Sequence, residues 1–337
     1  MTRVSAVVLA YLEEPWLERC VHALLSSRGV EADVVLVDNG CIGGGVDRLA
    51  GVPGVTVLRP GRNLGFAGGC NAGAEVAGAD LLAFVNSDAV AEPDALARLV
   101  EVASRPEVGI ASASIRLAEA PERLNSGGND LHFLGFVWSG AFNEDASVWP
   151  VQRDVGAASG AGMAMRRSLW EQLGGFDPAY FAYYEDAELS LRCWQRGLRV
   201  VYVPEAVVVH RYQFSRNPQK HYLLERNRLM LVLTTFEGRT LALLAPALLG
   251  MEAAVLVFAL AGGWVRPKVA GWGWLLHNRD WLAGRRRRLQ AERTVGDRDL
   301  AAMLVTRLDP GNYPLPPALL PLNGVLTGYW ALVRRLL

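Results

Sequence analysis

Along the first hundred residues, unbroken apolar runs of strand length alternate with stretches whose apolar positions recur every three or four residues. Residues 4–9, 33–37, 55–58 and 81–85 are Val-, Leu- and Ala-rich, and residues 15–27, 68–77 and 93–103 carry helical spacing. Pro15 and Pro93 open two of these helices, where a missing N–H is harmless. Strands that are apolar on both faces and separated by helices predict a parallel sheet covered on both sides. Residues 115–155 mix aromatic, Gly and Asn residues without a period, which predicts irregular structure and hairpins over a sheet edge. Residues 156–165 read as a buried strand, 186–196 as an amphipathic helix and 199–203 as a further strand.

The pattern changes after Thr240. Residues 241–264 hold one charge, Glu252, and one proline, Pro246. That length can span a hydrocarbon core of about 30 Å. A carboxylate near the centre is costly there, and a pair of amphipathic helices on a membrane or packed on the domain fits the same residues.

Composition adds two facts. Of the 337 residues, 51% are hydrophobic and 20% charged, so a large core is available and disorder is excluded as a general state. The net charge of zero conceals an asymmetry: residues 1–234 carry 27 acidic and 21 basic side chains, residues 235–337 carry 7 and 13. A basic field over the whole chain is absent, which argues against nucleic acid as a partner. The basic, apolar tail, with Arg285–Arg288 as a run, points to an anionic membrane surface; a solvated helix face explains the run equally. Cys20, Cys41, Cys70 and Cys193 form no CxxC pair, which fits buried, reduced thiols rather than a zinc site. Residues 4–12 run straight into Glu13-Glu14-Pro15 without a basic leader, so they read as a first strand and not as a signal peptide.

In an open α/β sheet, chemistry gathers at the carboxyl ends of the strands, and candidates stand at each such end. Asp38 follows the second run, where it can accept hydrogen bonds from a base or ribose or serve the turn Asp38-Asn39-Gly40. Residues 63–71, Asn-Leu-Gly-Phe-Ala-Gly-Gly-Cys-Asn, follow the third run; their glycines permit close approach of backbone N–H groups to a diphosphate or a sugar. Asn86-Ser87-Asp88 ends the fourth, where Asp88 can hold a hard divalent cation. Glu185 and Asp186 lie in a carboxylate cluster suited either to a general base or to a helix N-terminus. His210 can complete the metal's ligands or simply pack.

The ordered set of these segments, with Ser159-Gly160-Ala161, residues 174–177 (Gly-Gly-Phe-Asp), residues 184–189 (Tyr-Glu-Asp-Ala-Glu-Leu), Arg192, Gly197, His210 and Arg226-Asn227, resembles family 2 glycosyltransferases, in particular the bacterial rhamnosyltransferase and galactofuranosyltransferase branch. The resemblance covers roughly residues 3–235 and implies the GT-A fold: a Rossmann-like α/β domain with a mostly parallel sheet sandwiched by helices. It divides the chain into a catalytic domain, 1–235, with a nucleotide-sugar half at 1–115 and an acceptor half at 116–235, and an apolar helical C-terminal region, 236–337. It implies an inverting, metal-dependent transfer from a nucleotide-diphosphate sugar to a glycan or polyprenyl-linked acceptor at the inner face of the cell membrane, with Mg²⁺ or Mn²⁺ as cofactor. By the same resemblance Asp186 is the base with Glu185 beside it, and Asp88 and His210 are the metal ligands. Asp38, Asn63, Gly65, Phe66, Gly69, Asn71, Asn86, Ser87, Gly160 and Ala161 line the donor site, and Phe176, Asp177 and Tyr184 lie on the acceptor side.

Two positions depart from the family pattern: Asn86 replaces the first acid of Asp-x-Asp, and the first strand ends Ala10-Tyr11-Leu12 where the family often has Tyr-Asn. The Gln-x-x-Arg-Trp motif of processive synthases is absent, so one or a few sugars are added rather than a polymer. A dinucleotide-binding oxidoreductase would need GxGxxG after the first strand, where Leu12-Glu13-Glu14-Pro15 stands instead. A non-catalytic membrane scaffold on the same fold is the remaining alternative.

Overall fold

A computed structural model describes residues 1–212, 219–311 and 320–337. The chain opens with β1 (Thr2–Glu13), α1 (Leu17–Leu25), β2 (Val30–Ile42), α2 (Gly45–Leu49), β3 (Val55–Leu58), α3 (Gly65–Val76), β4 (Leu81–Asn86), β5 (Ala89–Ala91) and α4 (Ala95–Ala103). There follow β6 (Val108–Leu117), β7 (Ala120–Ser126), β8 (Asn129–His132), β9 (Val137–Ser139), β10 (Arg153–Asp154), β11 (Gly162–Arg166), α5 (Arg167–Leu173), α6 (Glu185–Trp194) and β12 (Arg199–His210). The rest is helical, α7 (Lys220–Thr235), α8 (Gly238–Ala261), α9 (Val265–His277), α10 (Arg279–Glu292), α11 (Asp297–Leu300) and α12 (Leu322–Leu336), interrupted by β13 (Leu304–Val305).

The main sheet runs β10-β12-β6-β11-β4-β1-β2-β3. The pairs β4–β1, β1–β2, β2–β3 and β6–β12 are parallel, and β11 is inserted antiparallel between β6 and β4. This is the mostly parallel α/β sheet that the resemblance implied. Alternation along β1 sends Val4, Ala6, Val8 and Ala10 into one core and Val7 and Leu9 into the other. The first core includes residues of α1, α2 and α4, the second residues of α3, α5 and α6. Helix α3 lies close against β1 because Gly69 and Gly73 carry no side chain: a Cβ would come within 2.3 Å of Leu9 and 2.5 Å of Val7.

Three departures from the sequence reading have physical causes. Strand β6 begins well before residue 115 and reads Val-Gly-Ile-Ala-Ser-Ala-Ser-Ile-Arg-Leu. Its apolar signal is diluted by Ser112 and Ser114, both fully buried; Ser112 Oγ accepts the N–H of Ser159 at 3.3 Å, and Ser114 pairs with Tyr202 at 2.9 Å. Within 156–165 only the second half is strand; Gly156–Ala161 is loop. Residues 241–264 are neither two helices nor bisected by Pro246, but lie largely in the single helix α8.

The boundary expected at 235/236 is not a gap in packing. A third core joins Leu131, Phe133, Tyr180, Tyr184 and Leu191 with Met230, Phe236, Leu244, Leu282 of α10 and Trp330. Arg285 of α10 reaches Glu188 of α6 at 2.5 Å and Asp177 at 2.9 Å.

Candidate active site

The carboxyl ends of β4 and β12 bring Asp88 and His210 together. His210 ends β12, opposite Ala89 of β5 and Leu117 of β6. Its Nε2 lies 3.1 Å from Asp88 Oδ1 and 3.4 Å from Asn86 Nδ2, and its Nδ1 lies 2.8 Å from Asn125 Oδ1. When Nδ1–H donates to Asn125, Nε2 presents a lone pair toward the carboxylate. Two acceptors separated by 3.1 Å match adjacent corners of an octahedron with bonds of about 2.1 Å, the coordination Mg²⁺ demands. The donor set therefore fits a small divalent cation, with Asn86 able to turn its oxygen inward. Among the described residues no three His, Cys, Asp or Glu side chains cluster as a closed cage, so the remaining positions would fall to diphosphate oxygens and water. Asn125 is a partner that sequence reasoning missed: it lies on β7, 85 residues from His210, and no local signal marks it.

Asp186 stands at the start of α6. Its Oδ2 accepts the N–H of Gly160 at 2.9 Å and its Oδ1 that of Ala187 at 2.8 Å. Burial raises its pKa against these two hydrogen bonds, while its residue keeps partial access to solvent. Glu185 is only 5% exposed, and its Oε2 has no hydrogen-bond partner. Burial, followed by the charge of Asp186, holds the Glu185 carboxyl well above the usual carboxylate range. Ser159–Ala161 joins the two halves: Ala161 O accepts the N–H of Asn86 at 3.3 Å, and a Cβ on Gly160 would meet the Phe66 ring at 3.2 Å.

The segment before α6 is strained. Phe181, Tyr183 and Tyr184 have φ of 63°, 69° and 74°, values that non-glycine residues rarely adopt. Asn227 overcomes this by donating from one amide to the carbonyls of Tyr180, Ala182 and Tyr183 at 2.9, 3.0 and 2.7 Å. Arg226 adds bonds to Ala179 O and Tyr180 O.

At the other end of the sheet, Asp38 accepts the N–H groups of Gly40 and Cys41, and its second oxygen pairs with Arg59 at 3.0 Å. Asn39, buried and assigned no role from sequence, donates to Asn63 Oδ1 at 2.9 Å and accepts the N–H of Leu64 at 2.7 Å. Asn63 in turn accepts the N–H of Gly65. Gly65 needs its φ of +73° and its missing side chain, because a Cβ would lie 2.4 Å from Phe181 O. The loop is thus pinned on one side by Asn39 and on the other by the strained segment. Ser87 is buried, and Phe66 and Ala161 border Gly160.

Five expected donor or acceptor residues are occupied with packing. Gly69 faces Leu9 inside α3. Asn71 donates from Nδ2 to Phe176 O at 2.8 Å and accepts the Phe176 N–H at its Oδ1 at 3.0 Å. Phe176 is fully buried among Phe66, Phe84 and Trp170. Asp177 caps the turn at Ala179 and pairs with Arg285. Tyr184 is 6% exposed in the third core. Sequence position alone does not distinguish a residue that meets a substrate from one held in packing contacts of this kind.

Burial raises the thiols of Cys20, Cys70 and Cys193, the last to about 12, so these three are inert at neutral pH.

Comparison with known proteins gives the family and the fold. Residues 2–230 match the family described as glycosyltransferase like family 2. The N-acetylglucosaminyl-diphospho-decaprenol L-rhamnosyltransferase of Mycobacterium tuberculosis is 32% identical over 252 residues, covering 66% of this chain and 81% of that protein. The O-antigen biosynthesis protein RfbC of Myxococcus xanthus is 31% identical over 166 residues, but only 13% of its length is covered. Among solved structures, GalNAc-T7 with UDP, GalNAc and Mn²⁺ has a TM-score of 0.61 at 19% identity, covering 72% of this chain and 50% of that chain. The mannosyltransferase PcManGT of Pyrobaculum calidifontis, in complex with GDP-Man and Mn²⁺, has a TM-score of 0.52 at 20% identity, covering 86% and 85%. At these identities the two structures establish a shared GT-A-like fold. By the extent of its family match, the chain belongs to the glycosyltransferase like family 2 and is a glycosyltransferase.

Proposed function

We propose that this enzyme moves rhamnose or another hexose from a nucleoside-diphosphate donor to a glycan or polyprenyl-linked acceptor in cell-envelope polysaccharide synthesis, with inversion at the anomeric carbon. The observation that carries the reading is the juxtaposition built by Ser159–Ala161. One loop bonds both to the Asn86–Asp88 end of β4 and, through Gly160 N, to Asp186 at 2.9 Å. The relative from Mycobacterium tuberculosis, named for a decaprenol-diphosphate acceptor, supports the lipid-linked substrate class.

In a single displacement, the acceptor oxygen forms a bond to C1 as the C1–O bond to the diphosphate breaks. The electron pair leaves with the diphosphate, and the acceptor proton passes to the Asp186 carboxylate. Burial raises both carboxyls, that of Glu185 further through the charge of Asp186, while two backbone N–H groups favour the ionised form of Asp186. Asp88 and His210 would hold Mg²⁺ or Mn²⁺, which supplies positive charge against the leaving diphosphate when bound. Asp38 and the loop at Asn63, Gly65 and Phe66 would hold the nucleoside and sugar, with Asn86, Ser87, Gly160 and Ala161 lining the donor pocket. Phe176, Asp177 and Tyr184 would support the acceptor side from behind. We assign residues 1–235 to the catalytic domain and 236–337 to a helical region that holds it at the cytoplasmic face of an anionic membrane.

The test is a donor screen by thermal shift with and without Mn²⁺, followed by transfer assays and determination of the product's anomeric configuration. Selective, metal-dependent stabilisation by one nucleotide and an inverted product are expected. A retained configuration, or full transfer by Asp186→Asn, would overturn the mechanism.

A further inference from the structure

Helix α8 has 24 residues, and an 18-residue window within it has a mean hydropathy of 2.2 with only 11% buried. From residue 242 to 261 every exposed position is Ala, Pro, Leu, Gly, Val or Phe. Leu249 is 71% exposed, Val257 66% and Leu260 60%. On the neighbouring α12, whose Tyr329 bonds to Leu243 O, Val325, Leu332 and Leu336 are also exposed. Length and composition alone would let α8 cross a bilayer.

Glu252 decides against it. Its carboxylate turns away from the apolar face and bonds to Arg228 of α7, to Lys268 of α9 at 2.7 Å and to Trp272 Nε1 at 2.6 Å. Lys268 and Arg228 are themselves fully buried and also pair with Glu225. A spanning α8 would have to leave this cluster, taking one carboxylate into hydrocarbon and leaving two buried cations with Glu225 as their one remaining carboxylate in the cluster. Arg239, Arg266, Arg287, Arg288, Arg334 and Arg335 are exposed in the same region, which has a net positive charge. Exposed apolar side chains in a region that also exposes arginines are complementary to an anionic bilayer.

We propose that α8 docks in the plane of an anionic bilayer through its Leu249–Leu260 face, with Glu252 directed inward to the protein, and does not span. This rests on the membrane reading above and specifies how that surface is used.

The test uses the full chain in a Cys41→Ser background, where the other thiols are buried, with an environment-sensitive label at Leu249→Cys or Leu260→Cys. These positions lie on one face and are about 16 Å apart along the axis at 1.5 Å per residue. Vesicles of phosphatidylcholine and phosphatidylglycerol carry nitroxides at shallow or deep positions. Equal, shallow quenching at both sites is expected. Leu249→Glu/Leu260→Glu should weaken flotation with these vesicles by more than about tenfold while donor hydrolysis persists. A deep 249 and a shallow 260 would mean a spanning helix and overturn the proposal. So would a folded wild type that ignores the vesicles, or one whose two labels are shielded in a dimer of two chains. Flotation without any nucleotide-sugar turnover would instead defeat the proposed function and leave the docking intact.

Discussion

Asp186 Oδ2 accepts the backbone N–H of Gly160 at 2.9 Å, across 26 residues of chain. The bond fixes one carboxylate oxygen, and Ala187 N–H occupies the other at 2.8 Å, so the rotamer is set before any substrate arrives. Asp186→Asn keeps the shape but removes the proton acceptor. Transfer should fall by roughly 10²–10⁴-fold, with donor affinity by calorimetry nearly unchanged. Equal losses in both would assign Asp186 to binding instead.

The Asp88–His210 pair makes a prediction about ligand linkage. In wild type, Mn²⁺ with the correct nucleoside diphosphate at about 100 times its Kd should stabilise the fold by about 2.7 kcal/mol. Asp88→Ala should abolish the metal-dependent part of that shift in a melting experiment. Stabilisation that persists in both Asp88→Ala and His210→Ala would place the cation elsewhere.

Glu185 should make the fold less stable as pH rises. Its folded pKa is raised above the unfolded value of about 4.5, so the folded state binds the proton more tightly. That contribution is complete below the unfolded pKa and is lost as pH rises through the folded one. Glu185→Gln removes this titration. As pH rises above about 4.5, the melting temperature of wild type should decline relative to the variant; parallel curves would refute the raised carboxyl.

Asn227→Ala leaves the carbonyls of Ala182 and Tyr183 without their side-chain donor and takes one of two from Tyr180 O, which keeps Arg226. At about 1 kcal/mol for each lost bond, urea unfolding should show a loss of about 2–4 kcal/mol. Transfer should fall further than stability at permissive temperature, because Tyr183 and Tyr184 set where α6 begins.

Arg285 lies beyond the family-matched segment yet contacts α6. Burial alone would raise the pKa of Glu188, but the guanidinium groups of Arg192 and Arg285 outweigh it and hold it below the usual range. Arg285→Met leaves Glu188 with one arginine and Asp177 without its salt-bridge partner. Breaking such a buried pair costs about 3–5 kcal/mol, measurable by denaturant titration, and the deficit should shrink in Arg285→Met/Asp177→Asn.

Much of this molecule is determined by sequence alone. The strands β1, β2 and β4 are legible because their apolar runs must be buried on both faces; Asp88 and His210 stand at strand ends as read, whereas Asp38 lies inside β2, which runs on to Ile42. Strand β6 was obscured because its buried serines find partners only across the folded sheet, at Tyr202 and Ser159. Tertiary structure alone decided which residues near the site face the cleft. Phe176 shares the motif neighbourhood with Asp186 but is buried in the core, and Asn71 is taken up by the Phe176 backbone. It also decided the direction of Glu252: hydropathy records one charge in an apolar helix, whereas only the packing of α7 and α9 brings Arg228 and Lys268 to meet it. Periodicity reports what a segment can bury by itself; the partner of a polar group hundreds of atoms away along the chain exists only once the chain has folded.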